Sequence, residues 1–474
     1  MSAVKSSNMP LCMLLLLCLL CNAANGFINL YPKLKTYPLP EGADVGNPLF
    51  LTPIIESGDI NKARELASVQ HKAMKDVSSY AGYFTVNKEY NSNLFFWFFP
   101  AQKNPKTAPV VAWFQGGPGA SSLFGLFVEN GPFRVTKNLT LQARKYSWNA
   151  NHNVLYIDNP VGTGFSFTDN DLGYARNETC VGRDVHTALV QFFNLFPELQ
   201  QNEFYVTGES YAGKYVPAIS HAIKDYNIKA KVKINLKGLA IGNGFTDPLN
   251  QLIYSDYLYQ VGLLDANGRD EFRKYENKGR EFIRQGKYME AFTVFDRMID
   301  GDMSGEPSLF KNLTGFDFYF NYLHTKDSNS SNWFAEFVQK PEIRKAIHVG
   351  NCSYGLESKK VMEYLREDIP RSAAFFVSDL LQHFKILIYN GQLDIIVAYP
   401  LTENYLQNLE WPGAQEYKKA PRKQWWVEDQ LAGYSKTVGN LTEVLVRAAG
   451  HMAPSDQPKW VFDMITRLTH HKPF

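Results

Sequence analysis

Short apolar strand-like runs alternate with helical patterns along most of this chain, and that alternation limits its fold more than any other feature. The runs occupy residues 80–86, 93–99, 109–114, 154–157, 204–207, 236–241, 386–389 and 444–447. Patterns of helical period lie between several of them, at 185–196 and 212–224. Strands without a polar face, separated by helices, belong in a mostly parallel sheet covered on both faces. The first two runs, divided by a polar turn, predict a hairpin. The pattern breaks over residues 247–384, where 265–298 is charged and amphipathic and no clear buried strand precedes Ile386. This predicts a helical cap inserted into an α/β core made of 80–246 and 385–474. Such a cap would shape a pocket.

The 474 residues are 45% hydrophobic, enough for a large core, and 14% aromatic, which excludes disorder for the bulk of the chain. A net charge of +2 gives no footprint for nucleic acid. The apolar run from Leu11 to Cys21 is shorter than the ~20 residues a bilayer requires. With Lys5 before it and Ala24-Asn25-Gly26 after it, residues 1–26 read as a secretory signal peptide, and no later stretch reaches membrane length. The product is therefore expected in the secretory pathway, either extracellular or lysosomal. Residues 27–79 are Pro-rich at first and carry one helical pattern at 62–74. They read as an arm or removable pro-segment, or equally as an ordered extension. Only Cys180 and Cys352 lie outside the signal, so at most one intramolecular disulfide can form, and whether they meet is open. Sequons at Asn138, Asn177, Asn312, Asn329, Asn351 and Asn440 are candidate glycosylation sites.

Two segments carry chemistry. In Phe204-Tyr205-Val206-Thr207-Gly208-Glu209-Ser210-Tyr211-Ala212-Gly213 a strand runs into a serine flanked by small residues, and a helix follows. A nucleophile on a tight strand–helix turn requires such neighbours, and the helix N-terminus favours an oxyanion. In Trp113-Phe114-Gln115-Gly116-Gly117-Pro118-Gly119 consecutive glycines let backbone N–H groups face a pocket. The segment lacks the Lys and Ser/Thr of a phosphate loop. An α/β-hydrolase also needs an acid and then a histidine, in that chain order. Asp394 and His451 each follow a strand-like run, where α/β active sites collect. No metal-ligand spacing such as H-E-x-x-H occurs, so neither metal nor cofactor is expected.

These segments resemble the serine carboxypeptidase family, an α/β-hydrolase group, over essentially all of residues 80–464. Glu129-Asn130-Gly131-Pro132, Tyr156-Ile157-Asp158-Asn159-Pro160, Ile241-Gly242-Asn243-Gly244 and Gly450-His451-Met452 add to the likeness. Within the family the chain is most similar to the vitellogenic carboxypeptidase-like branch. The resemblance implies Ser210 as nucleophile, His451 as general base and acid, and Asp394 as its support. It implies Gly117 and Tyr211 as oxyanion-hole donors. Gln115, Gly116 and Glu209 would hold the peptide's terminal carboxylate, with Trp113 and Glu129 behind them and Met452 lining the leaving residue's pocket. Gln115 replaces a common Asn, Ala120 a common Cys, and Gln392 a common Asp. The resemblance thus implies release of C-terminal residues from peptides through an acyl-enzyme, favoured in acid. Transfer of acyl groups or ester hydrolysis by the same residues, or a silent binding glycoprotein, are the alternatives. Oligomeric state and preferred terminal residue are not legible.

Overall fold

A computed structural model describes residues 39, 42–301, 306–326 and 333–474. Residues 1–26, expected from the sequence to be a signal peptide, and Asn329 lie outside the described residues. Among those described, ten strands form one sheet in the order β1-β2-β6-β3-β7-β8-β9-β12-β11-β10. They are β1 (Tyr80–Asn87), β2 (Ser92–Phe99), β3 (Val110–Phe114), β6 (Asn153–Ile157), β7 (Phe204–Glu209), β8 (Leu236–Gly242), β9 (Lys385–Gly391), β10 (Lys423–Val427), β11 (Gln430–Val438) and β12 (Leu441–Val446). A separate two-stranded hairpin joins β4 (Phe133–Val135) and β5 (Leu141–Ala143). Pairing is parallel from β6 through β3, β7, β8 and β9 to β12, and antiparallel at both edges. The central strands are buried on both faces, which is why they read as continuous apolar runs.

Register sets the site. Phe114 pairs with Gly208, Glu209 with Gly242, Gly242 with Tyr389, and Gly391 with Val446. The carboxyl ends of β3, β7, β8, β9 and β12 therefore end level. The loops leaving them converge along one edge, where parallel sheets hold their ligands.

Helices flank the sheet. Glu178–Leu195 begins seven residues before the pattern seen in sequence, with the Asn177 side chain accepting from Cys180 N. Ala212–Asn227 follows β7 directly. Between β8 and β9 the described segments are helical and irregular, without strands. The 265–298 stretch divides at Gly286, which has φ 69°, into Ala266–Arg284 and Tyr288–Phe295. The 62–74 stretch divides as well: the helix Ile60–Ala67 stops where Ser68 turns extended and bridges to Tyr80. From Leu51 onward this N-terminal part is built into the core, with Leu51, Ala63 and Ala67 fully buried and Leu51 N bonded to Tyr83 O.

Cys180 and Cys352 are both half-buried and unpaired with each other. Among the sequons, Asn138, Asn177, Asn312 and Asn351 are exposed. Asn440 differs. It is half-buried, and one N–H of its amide already donates to Leu381 O across 2.9 Å. No helix among the described residues is long and apolar enough to cross a membrane.

Candidate active site

Ser210 occupies the turn between β7 and the helix Ala212–Asn227 with φ 61°, a left-handed conformation that costs a non-glycine residue about 1–2 kcal/mol. The turn is pinned on both sides: Ser210 N donates to Gly242 O (3.0 Å) and its carbonyl accepts from Phe245 N (2.9 Å). Small neighbours are mandatory. A Cβ on Gly208 would lie 2.4 Å from Phe114 O, and one on Gly213 would lie 2.7 Å from Phe245 N. The glycine loop after β3 presses against this turn, because a Cβ on Gly116 would lie 2.6 Å from Tyr211 N and 2.7 Å from Ser210 Cβ. Gly117, with φ 110°, and Tyr211 border the same narrow, largely apolar cavity as Ser210, together with Phe245, Phe295 and Ile369.

The loop is held from behind by Asp158. Its carboxylate accepts from Ser121 Oγ (2.7 Å), Ser122 N (2.9 Å) and Phe165 N (2.9 Å). Burial pushes this carboxyl up to about 6.

His451 follows β12, and Asp394 follows β9. His451 Nδ1 lies 2.7 Å from Asp394 Oδ2, with both side chains wholly buried. The same oxygen accepts from Asn243 Nδ2 at 2.7 Å. His451 Nε2 is buried without a hydrogen bond, so no Ser210–His451 bond is closed in this structure. Such bonds often tighten only when substrate is present. The Phe320 ring stacks on the imidazole at 5.0 Å, and Phe320 O accepts from His451 N. Tyr257 OH donates to Asp394 O (2.8 Å), so the segment between β8 and β9 reaches the histidine and the acid from above.

Beside Ser210 lies a fully enclosed polar cluster. Trp113 Nε1 donates to Gln115 Oε1 (2.9 Å). An indole N–H can only donate, so Gln115 turns its oxygen to Trp113 and its nitrogen to the acids. That nitrogen donates to Glu209 Oε1 (2.7 Å) and Glu129 Oε1 (3.2 Å). Gln115, Glu129 and Glu209 are at most 1% exposed. Burial, then the charge of Glu129, drives the Glu209 carboxyl well above the usual range. Burial also pushes Glu129 up to about 7, against the pull of its hydrogen bonds with Glu209 and Gln115. Oε2 of each acid has no donor in the structure, and a proton held between the two would supply one. Met452 sits apart from this cluster, lining an open cleft on the far side of His451.

The structure thus brings Trp113, Gln115, Gly116, Gly117, Glu129, Glu209, Ser210, Tyr211, Asp394 and His451 to one sheet edge. Asn243, Tyr257 and Phe320 have no assigned role in the sequence reading. Asn243 stands between glycines past the end of β8, a position that could have marked it. Phe320 comes from the segment between β8 and β9 and carries no local signal.

The family model described as serine carboxypeptidase matches residues 70–471. The chain is 68% identical over 452 residues to the venom serine carboxypeptidase of Apis mellifera, covering 95% of this chain and 97% of that one. It is 49% identical over 428 residues to the vitellogenic carboxypeptidase of Aedes aegypti, covering 90% of each. Its fold is similar to that of a prohormone-processing carboxypeptidase from Saccharomyces cerevisiae, with a TM-score of 0.75, 23% identity, and coverage of 86% of this chain and 96% of that one. The chain belongs to the serine carboxypeptidase family of hydrolases.

Proposed function

We propose that Ser210 is the nucleophile of an exopeptidase that removes the last residue of a peptide. Ser210 Oγ attacks the final peptide carbonyl while His451 Nε2 takes its proton. The N–H groups of Gly117 and Tyr211 receive the developing oxyanion. The proton passes to the leaving nitrogen as the C–N bond breaks, leaving an acyl-serine, and water then repeats the sequence to free the enzyme. Asp394 holds the Nδ1 proton and supports the imidazolium. Gln115, Gly116 and Glu209 bind the terminal carboxylate, with Trp113 and Glu129 behind them.

The observation that carries this reading is the buried Gln115–Glu209 contact of 2.7 Å beside the serine turn. Two ionised glutamates there would repel a carboxylate. A pair that keeps a proton offers donors instead, so binding is favoured in acid. The signal sequence and the exposed sequons support action in a secreted or lysosomal space.

Timed release of a free amino acid from an N-blocked dipeptide at about pH 5 tests the reading against Ser210→Ala. Release by the parent alone supports it. Equal release by both, or hydrolysis of esters without any peptide cleavage, overturns it.

A further inference from the structure

The cleft beyond His451 has a charge character of its own. It occupies about 590 Å³ and is lined on one side by Met452 and by Phe320, the ring stacked on the imidazole. This places it where a leaving side chain must go if the terminal carboxylate rests on Gln115 and Glu209 and the leaving nitrogen faces His451. The opposite wall is the β4–β5 hairpin. Arg134 on β4, Lys137 in its loop and Arg144 just after β5 all border the cleft. Arg134 bonds the neutral Gln142 (2.9 Å), and Arg144 is fixed by the carbonyls of Gly131 (3.1 Å) and Phe127 (2.8 Å). Neither forms an ion pair among the described residues. The one carboxyl lining the cleft, Asp456, is engaged by Gly450 N (2.7 Å) and Asn321 Nδ2 (3.2 Å). With Lys326, which also lines the cleft, four cations against one occupied carboxyl leave an excess of positive charge beside the Phe318 and Phe320 rings.

We propose that this cleft selects peptides whose leaving C-terminal residue is acidic, glutamate or aspartate, with Arg134 and Lys137 as the specificity-determining cations. The inference rests on the reading of the preceding subsection. Arg144 contributes a fixed charge but is committed to holding the backbone after Phe127. The contacts are solvent-open, so each cation contributes only a few-fold. They discriminate among substrates rather than create activity.

The test compares kcat/KM for blocked dipeptides ending in Glu, Gln, Leu or Lys, at about pH 6, where a free glutamate is ionised. Gln is the shape-matched neutral control. Glu is expected to exceed Gln by about threefold to tenfold, with Lys lowest. In Arg134→Gln/Lys137→Gln the Glu-to-Gln ratio should fall to less than about half the parent's value, the residual preference coming from Arg144 and Lys326. The ratio is read within each variant, so a general loss of activity cancels. High salt should also reduce the parent's ratio, because exposed charges are screened. Release without a Glu-over-Gln preference, or a preference undiminished in the double variant, overturns this inference alone. Absence of release from all four peptides overturns the reading beneath it as well.

Discussion

Asn243 Nδ2 donates to Asp394 Oδ2 across 2.7 Å, the same oxygen that faces His451 Nδ1. Asn243 Oδ1 in turn accepts from Gly391 N (3.2 Å), so one amide ties the end of β8 to the end of β9. The acid is thereby fixed from two sides before any substrate arrives. Removing that donor in Asn243→Ala should lower kcat by about 10-fold to 100-fold while leaving KM near the parent value. Steady-state kinetics on a blocked dipeptide check this, and a change confined to KM would assign Asn243 to substrate binding instead.

Asp394→Asn removes the charge and presents a donor where an acceptor is required, so His451 would hold its proton on the wrong nitrogen. A kcat loss of about 10³–10⁴ is expected, with the fold intact. Circular dichroism and kinetics on the same preparation separate loss of function from loss of structure.

Gly125 lies directly against Trp113: a Cβ there would sit 2.1 Å from Trp113 Nε1. Gly125→Ala should push the indole away from Gln115 and release the amide that reaches Glu209. The expected result is a raised KM for peptides with a free C-terminus. An unchanged KM in a folded variant would show that Trp113 does not orient Gln115.

The buried acids also link stability to pH. The folded pKa of Glu129 is raised from 4.5 to about 7, so its proton stabilises the fold at low pH and that contribution fades as pH rises through 7. Glu129→Gln removes the group that must ionise. Its Tm relative to the parent should therefore be more favourable at pH 8 than at pH 5. A Tm difference independent of pH would mean that Glu129 ionises without cost.

Much of this was legible in the sequence, for physical reasons. The central strands read clearly because burial on both faces removes polar residues, and the serine turn read clearly because crowding at Gly208 and Gly213 forbids larger side chains. The edge strands β10 and β11 did not. β10 exposes Lys423, Gln424 and Trp426, and β11 carries polar residues even where it is buried, at Ser435 and Lys436, so neither shows a clean apolar alternation. The break at Ser68 depends on a bridge to Tyr80, which no local pattern carries. At the site, Asp394 and His451 were found through chain order and strand ends. The stacking of Phe320 on His451 is made by distant chain and is visible only once folded.

The most direct measurement is the pH dependence of KM for one peptide in two forms, with a free and with an amidated C-terminus. The account predicts that KM for the free acid rises by about tenfold or more between pH 5 and pH 8, as Glu129, whose carboxyl is pushed up to about 7, gives up its proton to leave negative charge beside Glu209. The amide should show no such rise, and Glu209→Gln should flatten the free-acid profile. Parallel profiles for the two peptides, or a free-acid KM that ignores pH, would contradict carboxylate recognition by the buried acid pair.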